Sequence, residues 1–485
     1  VLQQQFLNVA TRHPDHPAVV DRHGNIRTYA DLLQDIEALR ARLHAVGLRN
    51  GDVVVTQLGN STGYVALLFA MASLELVHCP ISLACSTAYR AKRLKQVHAA
   101  VLVTEYGTMP AGTQVPSFAL RSQPPATLQA PAHQQQTGLM RMQETTGAPG
   151  ALRLALWRQE HLHREILHWV ESAELDASAR YLNIHSLDSR HATDLHVFPA
   201  LLTGATLYLG EAANVEETLR TLDQQRITVM SALPSHYLAL AQAAEQTGIR
   251  LPALAMPLCE DPYLDEQILL QAERCLGIHI KRIYGCAEFG MILADFSPGL
   301  QLESGMRPLG NVEVTLTAID PAYPDIGEIS ARCAHHGSGY YPLASDARED
   351  DVHACGDIAR RLDDGSLILM GRATDALLST QGIQFTPAIE RHIAQTLMPE
   401  CVVVMVDEHD RRRACVAVQA SATAADQQQK ALRGLLDRLG ISATITVLDK
   451  MPLTTSGKPD RTRLRRQLGT QSTGNDRIPL LKSMT

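Results

Sequence analysis

An α/β fold with a large first unit and a smaller last one is predicted from three observations. Up to Gly305, short apolar runs of strand length alternate with helical periods. That alternation implies crossover connections and parallel-type sheets covered on both faces. From Gly305 the texture changes to short strands separated by turn signals, a β-rich subdomain. Beyond Asp375 a further set of helices and strands is long enough to fold alone. With 485 residues the chain exceeds one ordinary core, so two or three domains are expected.

Taken in order, Thr28 and Asp31 read as the capping pair of a helix with apolar positions Leu32, Ile36, Leu39 and Leu43, ended by Gly47. VVVTQL at 53–58 is a buried strand, 65–76 a helix and 101–104 a strand. Residues 108–136, rich in Pro, Gln and Ala, read as a loop or connector. Strands at 181–184 and 205–209 flank a helix carrying Leu195, Phe198, Leu201 and Leu202, and residues 226–230 lead as a strand into another helix. After Asp375, helices at 388–397 and 427–439 alternate with strands at 402–406, 414–418 and 445–448.

Composition narrows the function. Apolar residues make up 45% of the chain and there are 24 prolines, and the mean hydropathy is −0.08, as for a water-soluble globular protein. A net charge of −7 spread over the length argues against nucleic acid or a membrane surface as partner. The nine cysteines are scattered, without a CxxC pair. This is reduced, cytoplasmic usage with neither a zinc site nor a disulfide framework expected. No apolar run has the length of a membrane span, and the opening VLQQQFLNVA is too polar for a signal peptide.

Four stretches carry chemistry. In QETTGAPGAL (143–152), Thr145, Thr146 and Gly147 offer hydroxyls and amides to phosphate oxygens, although a polar turn explains the same residues. In IYGCAEFGM (283–291) a strand ends at Tyr284 and runs through Gly285 to Glu288, at the strand terminus where ligands of open α/β sheets bind. Glu288 suits Mg²⁺, or else the cap of a following helix. The Asp363-Asp364-Gly365 hairpin turn brings Asp357 and Arg372 together, either around a ribose or as a simple ion pair. In PLTTSGKPDR (452–461), Gly457 and Pro459 hold Lys458 on a turn, as a point charge for an anion or as a solvated surface lysine. His185, His191 and His196 cluster in sequence, but the spacing of His191 and His196 does not share a helical face and no acidic partner completes a metal set.

The ordered set YGCAE, GD…DDG…GR and PLTTSGKPDR resembles the adenylate-forming superfamily of acyl- and aryl-CoA synthetases, luciferases and nonribosomal peptide synthetase adenylation domains. RTYADL, PALLTGATL, RPLGNVEV and GEI (327–329) fit the same order, so the resemblance covers nearly the whole chain. It implies an adenylation core over 1–372, with its β-rich part at about 305–372, and a mobile domain over 373–485 turning about Asp375. It implies ATP and Mg²⁺, with Thr145, Thr146 and Gly147 as phosphate loop, Tyr284, Gly285 and Ala287 around the nucleotide, and Asp357 and Arg372 on its ribose. Glu288 would hold the metal, and Lys458 would bridge the acid and the α-phosphate. His191 lies where amino-acid-activating members place an aspartate. This position implies an aryl or medium acyl acid, passed to CoA or to the phosphopantetheine of an acyl carrier protein by a monomer or homodimer. The phosphate loop departs from the pattern, with Gln143 and Glu144 for Ser-Gly and no lysine after Pro149. Cys259-Glu260-Asp261 replaces a small glycine-alanine run, Ala287 a common threonine, and the lysine expected near Leu378 is missing. These changes imply a slow or dedicated ligase, or a degenerate adenylation fold kept as a binding module.

Overall fold

The computed structural model describes residues 1–105, 115–120, 136, 138–145, 153–260, 264, 266–299, 304–342, 352–399, 401–407, 410–420, 425–453 and 459–469. Two large mixed sheets and an antiparallel four-stranded sheet precede a small terminal α/β unit. In the nine-stranded sheet, six parallel strands lie side by side in the order Lys281–Cys286, Met256–Cys259, Val229–Ser231, Arg180–Asn183, Thr206–Leu209 and Pro17–Val20. Antiparallel strands close both ends. In the seven-stranded sheet, parallel pairing runs from Leu139–Glu144 through Val77–Pro80, Val53–Gln57 and Val101–Thr104 to Ser117–Ala119. The expected parallel sheets are therefore mixed. Among the described residues of the connector at 108–136 is a strand, Ser117–Ala119, whose Phe118 and Ala119 are buried at the sheet edge.

Strand periodicity explains the layering. Along Val53–Gln57, Val54 packs into one core while Val53 and Val55 pack into another, so both faces of the sheet are covered. Helix Thr62–Ser73, buried at every position from Tyr64 to Ala72, belongs to the core that also takes side chains from both large sheets. The Thr28–Asp31 capping box opens helix Tyr29–Ala45 as its sequence demands, and Leu32, Ile36, Leu39 and Leu43 form its buried stripe. Arg141 on the seven-stranded sheet grips Asp194 beyond strand Arg180–Asn183 with two bonds of 2.6 and 2.7 Å, each side chain 3% exposed.

The four-stranded sheet is Glu313–Ala318, Ile326–Arg332, His353–Arg361 and Leu367–Arg372, with the predicted hairpin turn at Gly365 in the left-handed region at φ 80°. Beyond the 3₁₀ turn Ala373–Asp375, strands Cys401–Val406, Arg413–Gln419 and Ser442–Leu448 pack with helices Thr386–Leu397 and Ala425–Arg438. Among the described residues no helix is long and apolar enough to cross a membrane.

Removing one partner of the buried Arg141–Asp194 pair strands the other charge. Asp194→Ala is expected to lower unfolding free energy by about 3–5 kcal/mol. The Arg307–Asp364 pair is 61% and 58% exposed, so Arg307→Ala is expected to cost less than about 1 kcal/mol. Urea denaturation of the two variants measures the contrast.

Candidate active site

The carboxyl ends of four adjacent parallel strands deliver the polar residues of one region. Arg180–Asn183 leads to His185, Val229–Ser231 ends on Ser231, Met256–Cys259 leads to Glu260, and Lys281–Cys286 leads to Glu288. Parallel strands all point their termini one way, so the loops that follow share one edge.

The turn carrying Glu288 is tightly specified. Its strand continues through Gly285 to Cys286, two residues further than expected, and residues 287–289 then reverse into the antiparallel strand Gly290–Asp295. The alternative of a helix-capping glutamate is thereby excluded. A side chain at Gly285 would collide with the Gly290 carbonyl, which explains glycine there. Trp157 Nε1 donates to the Ala287 carbonyl at 2.8 Å, and the Gly337 amide donates to the Glu288 carbonyl at 3.0 Å. The Tyr340 hydroxyl donates to Glu288 Oε1 at 2.9 Å.

The hairpin brings Asp357 and Arg372 into register as neighbours. Arg372 Nε lies 3.2 Å from Asp357 Oδ1, and the Tyr284 hydroxyl donates to Asp357 Oδ2 at 2.7 Å. Burial pushes the Asp357 carboxyl up, with Glu288 adding to it, against the Tyr284 hydrogen bond and the Arg372 charge, and the net shift is upward. The Tyr284 ring is only 6% exposed and packs with Phe289 and Ile292 in a core. Its hydroxyl is thus committed to orienting Asp357. A side chain at Gly356 would meet nothing within 4 Å, so the chain beside Asp357 is open.

Glu288, Cys286 and His353 present ligand atoms within 4.8 Å of one another. Cys286 Sγ lies 3.5 Å from His353 Nε2, and its thiol is pushed well up by hydrogen bonding to Cys355 and by burial. A hard cation such as Mg²⁺ takes oxygen ligands, and within this trio only Glu288 supplies one. Glu288 therefore fits the predicted metal role with the oxygen that Tyr340 leaves open.

The histidine expectation needs correcting. The helical stretch after strand Arg180–Asn183 contains a π segment, Thr193–Val197, whose wider turn brings His191 and His196 to within 6.4 Å between ring centroids. With His185, they surround Ser231. His185 Nε2 donates to the Ser231 carbonyl at 2.8 Å, and His196 Nε2 accepts from its amide at 3.0 Å. His191 Nε2 contacts the Ser231 hydroxyl. An acidic partner is also present: His191 Nδ1 lies 2.6 Å from Glu260 Oε2, and Arg190 pairs with the other oxygen at 3.0 Å. No sequence spacing signals this, because Glu260 arrives from a different strand.

Burial drives His185 down to about 3, helped by the charge of His191, and drives His196 well below its ordinary value. Burial alone would raise Glu260, but Arg190 and His191 hold it below the usual carboxylate range.

Of the phosphate-loop residues, Thr145 is buried and its amide donates to the Arg153 carbonyl at 3.0 Å, whereas Thr146 and Gly147 lie outside the described residues. Glu144 is neutralised locally: Arg93 lies 3.3 Å away and the Tyr89 hydroxyl bonds to the same oxygen. Asp375 accepts from the Thr386 hydroxyl at 3.2 Å. Lys458 also lies outside the described residues. Among the described residues flanking it, Leu453 and Pro459 form a bridge and the Asp460 amide donates to the Pro452 carbonyl at 2.8 Å. Beyond it, Arg461 binds Glu390 at 2.5 Å and the Val404 carbonyl at 2.8 Å.

Glu260, with its pKa depressed on folding, adds stability that is present above the unfolded value of about 4.3 and lost as pH falls through the lower folded value. Glu260→Gln is therefore expected to cost about 2 kcal/mol at pH 7. Its penalty should shrink below pH 4, which urea midpoints at the two pH values measure.

The sequence is 23% identical to a salicyl-AMP ligase / salicyl-S-ArCP synthetase of Mycobacterium tuberculosis, over 96% of this chain and 91% of that protein. It is also 23% identical to a feruloyl-CoA synthase of Amycolatopsis sp, over 94% and 97%. The fold matches the O-succinylbenzoate coenzyme A synthetase of Bacillus subtilis in complex with AMP, at TM-score 0.75 and 18% identity, covering 95% of this chain and 98% of that one. ATP-bound MatB from Rhodopseudomonas palustris gives TM-score 0.72 at 17% identity, over 96% and 98%. The family model described as AMP-binding enzyme matches residues 6–341, and with the motifs around Tyr284, Glu288 and Asp357 in place, the chain belongs to the AMP-binding, adenylate-forming enzyme family.

Proposed function

We propose that the protein activates a carboxylic acid with ATP as an acyl- or aryl-adenylate, releasing pyrophosphate, and passes the acyl group to a thiol of CoA or of a carrier protein's phosphopantetheine. The observation that carries this reading is the Asp357 carboxylate, 15% exposed, aimed by Tyr284 at 2.7 Å and faced by Arg372 at 3.2 Å, close enough to Glu288 to feel its charge. A carboxylate so held accepts the two hydroxyls of a ribose with its remaining lone pairs. Mg²⁺, when bound, would supply positive charge to the phosphates, and Glu288 would hold it through one oxygen.

Attack of the substrate carboxylate on the α-phosphorus forms one P–O bond and breaks the bond to pyrophosphate. Lys458 is assigned to the charge that builds on both groups. Tyr284, Gly285 and Ala287 form the wall next to the base, and Thr145 begins the phosphate loop continued by Thr146 and Gly147. Residues 373–485 form the moving domain with Asp375 as hinge, which withdraws Lys458 before the thiol attacks the acyl carbon and AMP leaves.

The acid is assigned to the aryl or medium acyl class. Both curated relatives described above carry aryl acids in their names. Beside the proposed pocket, Glu260 is already balanced by Arg190 and His191, so it offers no free carboxylate for an amino group. ATP–pyrophosphate exchange over benzoates, cinnamates, fatty acids and amino acids tests the class, and exchange with amino acids alone would overturn it. The second reading, a non-catalytic nucleotide-binding module, draws on the phosphate loop, which lacks a lysine after Pro149 and carries Glu144. It predicts ATP binding without exchange for any acid.

Two variants probe the mechanism. Lys458→Ala is expected to lose exchange by about a hundredfold or more while still transferring a preformed acyl-adenylate to the thiol. Tyr284→Phe removes a hydrogen bond that lowers the Asp357 pKa. Nucleotide binding needs that carboxylate ionised, so affinity is expected to fade on acidification about one pH unit earlier than in the wild type. Calorimetric ATP titration between pH 5 and 8 reads the shift.

A further inference from the structure

Behind the Glu288 turn lies a second cluster that the adenylation chemistry does not use. Glu165 and His168 are one turn apart on helix Gln159–Ser172, and His335 sits in the segment that follows strand Ile326–Arg332. Their side chains are 2%, 10% and 6% exposed. Glu165 Oε2, His168 Nδ1 and His335 Nε2 lie within 4.8 Å of one another. Each of these three atoms is buried, and none has a hydrogen-bond partner among the described residues. Buried polar atoms are ordinarily satisfied, so three converging exceptions mark a place where something is held.

We propose that Glu165, His168 and His335 form a structural zinc site, two imidazole nitrogens and one carboxylate oxygen, with water at the fourth position. This donor set suits Zn²⁺, and the carboxylate is oriented from behind. Glu165 Oε1 accepts the Met291 amide at 2.6 Å, which fixes the carboxylate and leaves Oε2 for the ion. Cys333 lies beside the His335 ring and interacts with it electrostatically. The Asn311 amide donates to His168 Nε2 at 3.4 Å, which holds the ring from its far side.

The ion would tie three segments together behind the catalytic edge. Glu165 reaches the strand that leaves the Glu288 turn, and a side chain at Gly290, where φ is +106°, would collide with its carboxylate. His335 belongs to the loop whose Gly337 amide holds the Glu288 carbonyl. The competing occupant is a proton between His335 and Glu165, whose atoms lie 3.3 Å apart.

The test is metal content and Zn²⁺ titration of the full chain, purified without metal-affinity resin and stripped with chelator. One equivalent of Zn²⁺ is expected to bind, to raise the melting temperature, and to give intense tetrahedral d–d bands when Co²⁺ replaces it. H168Q and H335Q are expected to lose the site. C333A is expected to weaken it by about 10- to 100-fold. C286S and H353Q, in the separate cluster around Glu288, should keep the stoichiometry. Should H335Q fail to fold, H168Q and the cobalt spectrum decide alone. No binding at micromolar Zn²⁺, or binding that survives H168Q and falls with C286S, would overturn the proposal.

Discussion

The turn at residues 287–289 is the junction on which the catalytic edge depends. It belongs to the nine-stranded sheet, yet Trp157 and Tyr340, which hold it, belong to the seven-stranded one. Gly285 and Gly290 leave no side-chain volume inside the reversal, so the two chains approach closely enough for these bonds. A carboxylate fixed by one hydrogen bond on its own oxygen and two on its backbone neighbourhood has few alternative positions. Preorganisation of this kind is what a site needs if charge is to be met without rearrangement.

A similar economy governs the wall at Ser231. One residue has its amide, carbonyl and hydroxyl each met by a different histidine, and the low pKa values of His185 and His196 keep those rings neutral. Neutral imidazole can be donor on one nitrogen and acceptor on the other, which is what satisfying both the amide and the carbonyl requires. The Glu260 carboxylate in this wall is met by Arg190 at 3.0 Å and by His191 Nδ1 at 2.6 Å. Glu144 is treated likewise by Arg93 and Tyr89. Glu144, which replaces a small residue of the family's phosphate loop, is thus paired within the protein.

Local signals in the chain were sufficient wherever an interaction closes over a few residues. The capping pair Thr28–Asp31, the Asp-Gly hairpin that sets Asp357 against Arg372, and the apolar runs of the parallel strands all declare themselves, because spacing alone determines which groups meet. The ordered motifs likewise announced an adenylate-forming enzyme, which the match over residues 6–341 bears out.

Tertiary structure decided what depends on which strands become neighbours. Glu260 meets His191 across 69 residues and Glu165 meets His335 across a longer gap still, distances over which no periodicity carries information. The π segment that unites His191 and His196 breaks the 3.6-residue rule by which they had been separated. The Tyr284 hydroxyl reaches Asp357, 73 residues away, because its strand lies against the four-stranded sheet. Sequence determined the elements and the motif order through local backbone preference and burial period. The packing of two sheets against each other determined the partners, since only there do side chains from distant segments exclude water together.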